Sequence, residues 1–140
     1  MRRRLAPLAA AAAVIAAGCG EETATLAPAC TDSAQAVVAA LERAPAPVRL
    51  AGGTPLSDCL DQARTDIELQ SLGTVLTTAA DRLVDERRAL ALGYLVGAAH
   101  RGARHNSTVA TLVRRLENTA RPLAGDPELV RGRAAGEATG

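Results

Sequence analysis

The chain has 140 residues, enough for one small domain, and its 48% of hydrophobic residues include a single aromatic, Tyr94, with no Phe or Trp. Sugar sites and single-strand nucleic-acid sites usually need aromatic platforms, so neither is expected here. The formal charge of +1 becomes slightly negative once Arg2, Arg3 and Arg4 are set aside, which gives no general attraction to nucleic acid.

Residues 1–18 read as a secretion signal. Three arginines precede a short apolar run of Leu, Ala, Val and Ile, which ends in Ala16, Ala17 and Gly18 before Cys19. The run is about 14 residues and contains Pro7, whereas a helix that crosses a bilayer needs about 20. Ala16-Ala17-Gly18-Cys19 resembles the lipobox of bacterial lipoproteins, with Ala16 where that family usually has Leu. The resemblance implies cleavage before Cys19, a diacylglyceryl group and fatty acyl chains such as palmitate on that residue, and attachment to the outer face of the cytoplasmic membrane. Cleavage by the ordinary signal peptidase would instead leave the chain secreted. The segments ELQSLGTVL, LGYLVGAAHRGA and LVRRLE are similar to those of uncharacterised actinobacterial lipoproteins, a resemblance that carries no assigned activity.

The cysteine count agrees with export. Cys19, Cys30 and Cys59 are an odd number, and lipidation of Cys19 leaves an even pair. In an oxidising compartment Cys30 and Cys59 are expected to form a structural disulfide. Their spacing matches neither a C-x-x-C redox motif nor the usual zinc pattern, so no metal and no cofactor is expected.

Residues 19–29 have no apolar period and read as a flexible tether, followed by a bundle domain over 30–123. A first helix is expected from about Ser33 to Arg43, with Asp32 and Gln35 at its start and Ala36, Val37, Ala40 and Leu41 on one face. It stops before Pro45. The stretch PAPVRLAGGT reads as an extended connector of about ten residues, reaching roughly 30 Å. That is long enough to run back along the first helix and bring Cys59 to Cys30.

Ser57 is the expected cap of a second helix, with Asp58 and Asp61 in its first turn. Leu69, Leu72, Leu76, Ala79 and Leu83 continue it as an apolar stripe ending near Glu86. Thr65 with Glu68 offers another start, so the stripe reads as one helix or as two broken near Thr65. A third helix, from about Arg87 to Arg101, is apolar nearly all round and should be the most buried. Gly93 and Gly97, four apart, let another helix come close. Asn106, Ser107 or Thr108 caps a fourth helix with Val109, Leu112, Val113, Leu116 and Ala120 inward, closed by Pro122. The same three residues match a glycosylation acceptor, which capping explains equally well. Residues 124–140, rich in Gly and Ala, read as a disordered tail. The expected class is therefore all-α, a small disulfide-stapled bundle of about four helices.

No catalytic constellation stands out, and no enzyme activity is expected. His100 and His105 lie about 140° apart on a continuous helix and cannot share a metal; they read as a solvated helix end and a loop residue. Charge is uneven: residues 19–86 carry 4 arginines against 11 acids, and residues 87–140 carry 9 against 4. His100, Arg101, Arg104, Arg114 and Arg115 straddle the turn between the third and fourth helices and form a candidate site for an anionic surface. They face either the acidic half of the chain, at Asp81, Asp85 and Glu86, or the membrane or an anionic wall polymer. The expected function is a lipid-anchored structural or protein-interaction module of the cell envelope, with another envelope protein as a candidate partner. The alternative is a small-ligand-binding lipoprotein with a pocket between bundle helices, lined by Tyr94.

Overall fold

The structure is a computed structural model and describes residues 25–140; residues 1–18, read above as a secretion signal, and Cys19 lie outside the described residues. Six α-helices account for most of the chain: α1 (Ala34–Ala40), α2 (Leu56–Gln62), α3 (Asp66–Asp85), α4 (Ala89–Ala103), α5 (Ala110–Ala120) and α6 (Pro127–Thr139). The bundle class is as expected, and the count of about four is corrected to six for two reasons. The long second helix is split, and the tail is helical.

The split lies at Ala63–Thr65. Ala63 is extended, and Thr65 and Glu68 form a reciprocal capping box in which each side chain accepts from the other residue's backbone N–H. Two N-terminal amides of α3 are thereby satisfied, so the chain gains by restarting. The break leaves the carbonyls of Leu60 and Ala63 without helical partners. Buried Asn106 supplies both, its Nδ2 donating to Leu60 O at 2.6 Å and to Ala63 O at 2.7 Å. Its Oδ1 accepts from Thr108 N at 3.2 Å, capping the turn that leads into α5. Asn106 is therefore a cap, as expected, and also ties two helices together. Ser57 is not the cap of α2: Pro55 precedes the first helical residue, and Ser57 sits inside the helix with its hydroxyl donating to Gly140 O. At the start of α1, Ser33 rather than Asp32 caps, accepting from Ala36 N at 3.1 Å.

Cys30 and Cys59 are disulfide-bonded, with Cα atoms 5.5 Å apart. The connector makes this closure, turning tightly at Gly52 and Gly53, both with positive φ, where Leu50 N donates to Thr54 O. Its middle is held to the core by Val48 N, which donates to Tyr94 Oη at 2.9 Å. The staple closes a loop of 29 residues, worth about 3–4 kcal/mol in the chain-entropy model.

The expectation of a disordered tail is overturned. Asp126 caps α6 by accepting from Glu128 N at 2.9 Å, and Pro127 sits in the first turn, where its missing N–H costs nothing. The helix then packs on α4 through glycines. A Cβ on Gly93 or Gly97 would overlap the carbonyl oxygen of Leu129 or Arg133; one on Gly132 or Gly136 would overlap that of Leu90 or Tyr94. The contacts advance together along both helices, so α4 and α6 run parallel. Each presents two glycines four apart, and their backbones touch. Gly93 and Gly97 thus admit a close helix, as expected, and the helix is the tail itself.

These contacts give the bundle two ends. Leu26, α2, the start of α3, the end of α4, the turn into α5 and the end of α6 meet at one of them. The turn between α3 and α4, the end of α1 and the start of α6 meet at the other, about 30 Å away along the 20 residues of α3. Arg87 makes the α3–α4 turn with a positive φ, so that Arg87 N bonds Val84 O and Arg88 N bonds Leu83 O. The core between the ends is Leu, Val and Ala around Tyr94. None of the described helices is long and apolar enough to cross a membrane.

Candidate functional site

The five residues of the expected anionic-surface site separate into two groups. His100 and Arg101, on the last turn of α4, are engaged within the fold. His100 Nε2 lies 2.7 Å from Glu117 Oε1 of α5 and 3.1 Å from Arg133 Nη2 of α6, and Arg133 reaches the same carboxylate at 3.7 Å. The expectation of a solvated helix end is corrected accordingly: His100 joins three helices. Arg101 donates to Glu137 O at 3.1 Å and to Ala138 O at 2.7 Å, meeting the last carbonyls of α6 where a helix carries its negative end. The contacts of Arg101 and the contact of His100 with Arg133 depend on α6, which the sequence reading treated as disordered, so the internal partners it offered were Asp81, Asp85 and Glu86 instead.

Arg104, Arg114 and Arg115 form the second group. All three are exposed and pair with no carboxylate among the described residues. Asp81 and Asp85 form no ion pair among the described residues, and Glu86 pairs with Arg88 at 3.5 Å. Among the described residues, Glu86 is the one acid of the acidic half that forms an ion pair, and the other pairs run through Glu117, Glu128 and Glu137 of the basic half itself. His105 is exposed in the turn beside Arg104.

Arg115 lies at one end of a groove of about 540 Å³ between α3 and α5. Its floor is Leu69, Gly73 and Leu112; its walls are Gln70, Thr74, Thr108 and Thr111. The first half of each helix builds it, so it opens beside the end where Leu26 meets α3. Sequence reasoning missed this groove. The available signal was the spacing of Gln70 and Thr74 on α3 against Thr108, Thr111 and Arg115 on α5, which puts polar residues on one edge of each helix.

At that same end Glu68 gathers backbone donors. Its Oε2 accepts from Arg64 N at 2.9 Å and Thr65 N at 3.0 Å, and its Oε1 from Leu26 N at 3.5 Å. The amide of Thr65, then that of Arg64, holds the carboxyl down to about 2 against the ordinary 4.5.

Among the described residues, Tyr94 does not line the α3–α5 groove. It is fully buried, its hydroxyl accepting from Val48 N and bonded to Thr139 Oγ1 at 3.0 Å. Among the described residues no three His, Cys, Asp or Glu side chains converge as a metal site would require. No family model matches the chain, and neither the curated proteins nor the solved structures contain a match to it.

Proposed function

We propose that the protein is a lipid-anchored module of the bacterial cell envelope, held at the outer face of the cytoplasmic membrane through Cys19, which acts by binding rather than by catalysis. The observation that carries this reading is the Cys30–Cys59 disulfide. It takes two of the three cysteines, fits an oxidising compartment, and leaves Cys19 alone behind the signal-like segment. Binding is favoured over catalysis by where the chemistry-bearing side chains are. His100 is held between Glu117 and Arg133, Ser57 donates to a backbone carbonyl, and Tyr94 is closed into the core. The reading with a pocket at Tyr94 loses support on the same ground.

Membrane fractionation of cells making the wild-type or Cys19→Ser chain tests the proposal. Wild type is expected in the detergent phase; the variant is expected to be released or to persist as an uncut precursor. Identical partitioning of a processed wild type and variant would overturn it.

A further inference from the structure

We propose that the corner of the bundle formed by the start of α3, the α4–α5 turn and the first half of α5 docks on the membrane and takes the headgroup of an anionic, hydroxyl-bearing phospholipid into the α3–α5 groove. The proposal rests on the membrane attachment argued above and specifies the face that the attached domain turns to the bilayer.

Chain entry orients the domain. Six residues separate Cys19 from Leu26, a span of at most about 25 Å even if fully extended. Leu26 is fixed against Glu68 in the first turn of α3. A lipid on Cys19 therefore keeps this end of the molecule close to the headgroups, and the α3–α4 turn lies the length of α3 farther off.

The surface at this end has the chemistry of an interfacial contact. Ile67 is 78% exposed, the most exposed large apolar side chain among the described residues. It shares a face of α3 with Gln70 and Thr74, so the groove wall runs directly into it. Arg115 flanks it from the other side of the groove, free of carboxylate partners among the described residues, whereas Arg104 lies beside α2 in a separate groove with Asp58 and Asp61. Juxtamembrane arginines of this kind are drawn to anionic leaflets. Asp66 remains exposed beside Ile67, while the carboxylate of Glu68 is turned to backbone amides.

The groove suits one class of headgroup. Arg115 meets a phosphate, and no carboxylate lines the walls to oppose it. Thr74 Oγ1 already donates to Gln70 O, and Thr108 Oγ1 to Asn106 Oδ1, so both hydroxyl oxygens are left as acceptors. A headgroup that brings its own hydroxyl donors matches them; a quaternary ammonium does not. The floor of Leu69, Gly73 and Leu112 is apolar, as the upper part of an acyl chain requires. Gly73 keeps that floor low without any packing demand, for a Cβ there would meet only Leu112 Cδ1, at 3.8 Å.

The absence of Trp supplies a clean probe. Ile67→Trp and Val130→Trp each introduce one reporter at an exposed apolar position, the second in α6 at the far end. The full chain, processed by its bacterial host, is reconstituted into vesicles of phosphatidylglycerol or phosphatidylcholine with brominated acyl chains. Flotation reads attachment and quenching reads the face. The proposal expects both proteins to float in either lipid. Emission from Ile67→Trp should be quenched and blue-shifted in phosphatidylglycerol and much less so in phosphatidylcholine. Emission from Val130→Trp should be unaffected in both, and Arg115→Ala should reverse the quenching of Ile67→Trp without affecting flotation. Flotation with equal quenching at the two positions, or with no lipid preference, overturns the docking face alone. Failure to float overturns the attachment and the docking face together.

Discussion

Glu68 joins the entering chain, the break after α2 and the start of α3, because one carboxylate accepts from Leu26, Arg64 and Thr65. Its pKa is depressed on folding, so the ionised form favours the folded state. The contribution is complete above pH 4.5 and is lost as the pH falls toward about 2, where the folded-state carboxyl takes its proton. Glu68→Gln is expected to lower the Tm at neutral pH and to flatten its fall between those two values; parallel Tm curves for variant and wild type would show that the carboxylate does not couple to folding. Tyr94 acts in the opposite setting, fully buried. Its hydroxyl satisfies Val48 N and meets Thr139, so the only aromatic ring in the chain holds the connector on one side and α6 on the other. Removing the hydroxyl would orphan a buried N–H, at a cost of about 1–3 kcal/mol.

The glycines of the helices differ in what they do. Gly136 lies where any Cβ would strike the backbone of α4, so Gly136→Ala is expected to push α6 away and destabilise the domain by about 3 kcal/mol or more. Gly73 faces ordinary space, and Gly73→Ala is expected to stabilise α3 by about 0.5–1 kcal/mol. Chemical denaturation of the two variants checks both signs; equal and small effects would mean that α6 does not depend on backbone contact with α4. The same comparison explains what could be read from the sequence. α3 and α5 carry apolar side chains at three- and four-residue spacings, and their buried faces were legible from those spacings. α6 carries its packing signal in residues that lack side chains. Composition therefore read Gly132 and Gly136 as disorder, although their four-residue spacing repeats that of Gly93 and Gly97. The split between α2 and α3 was legible as one of two options, because Thr65 and Glu68 spell a capping box. The acceptors that Asn106 satisfies were not, since Leu60 and Ala63 lie more than 40 residues away from it.

In the whole molecule the disulfide, the Tyr94 hydroxyl and the α4–α6 contact close a core made almost entirely of Leu, Val and Ala. Aliphatic side chains bury less area each than aromatic ones, and a small domain built from them benefits from a staple of about 3–4 kcal/mol. The same staple is what the proposed envelope location rests on, since disulfides persist in oxidising compartments. Of the candidate anionic-surface residues, the sequence located Arg104, Arg114 and Arg115 correctly on the exterior. It could not separate them from His100 and Arg101, because the partners of Arg101 and one partner of His100 sit on α6, and the other partner of His100 is Glu117 of α5. The central claim is attachment through Cys19, and an intact mass of the protein purified from its own membranes tests it most directly. The account predicts a chain that begins at Cys19, carries added acyl mass, and shows no free thiol until it is reduced. A chain that begins elsewhere, or begins at Cys19 without acyl mass, would contradict it.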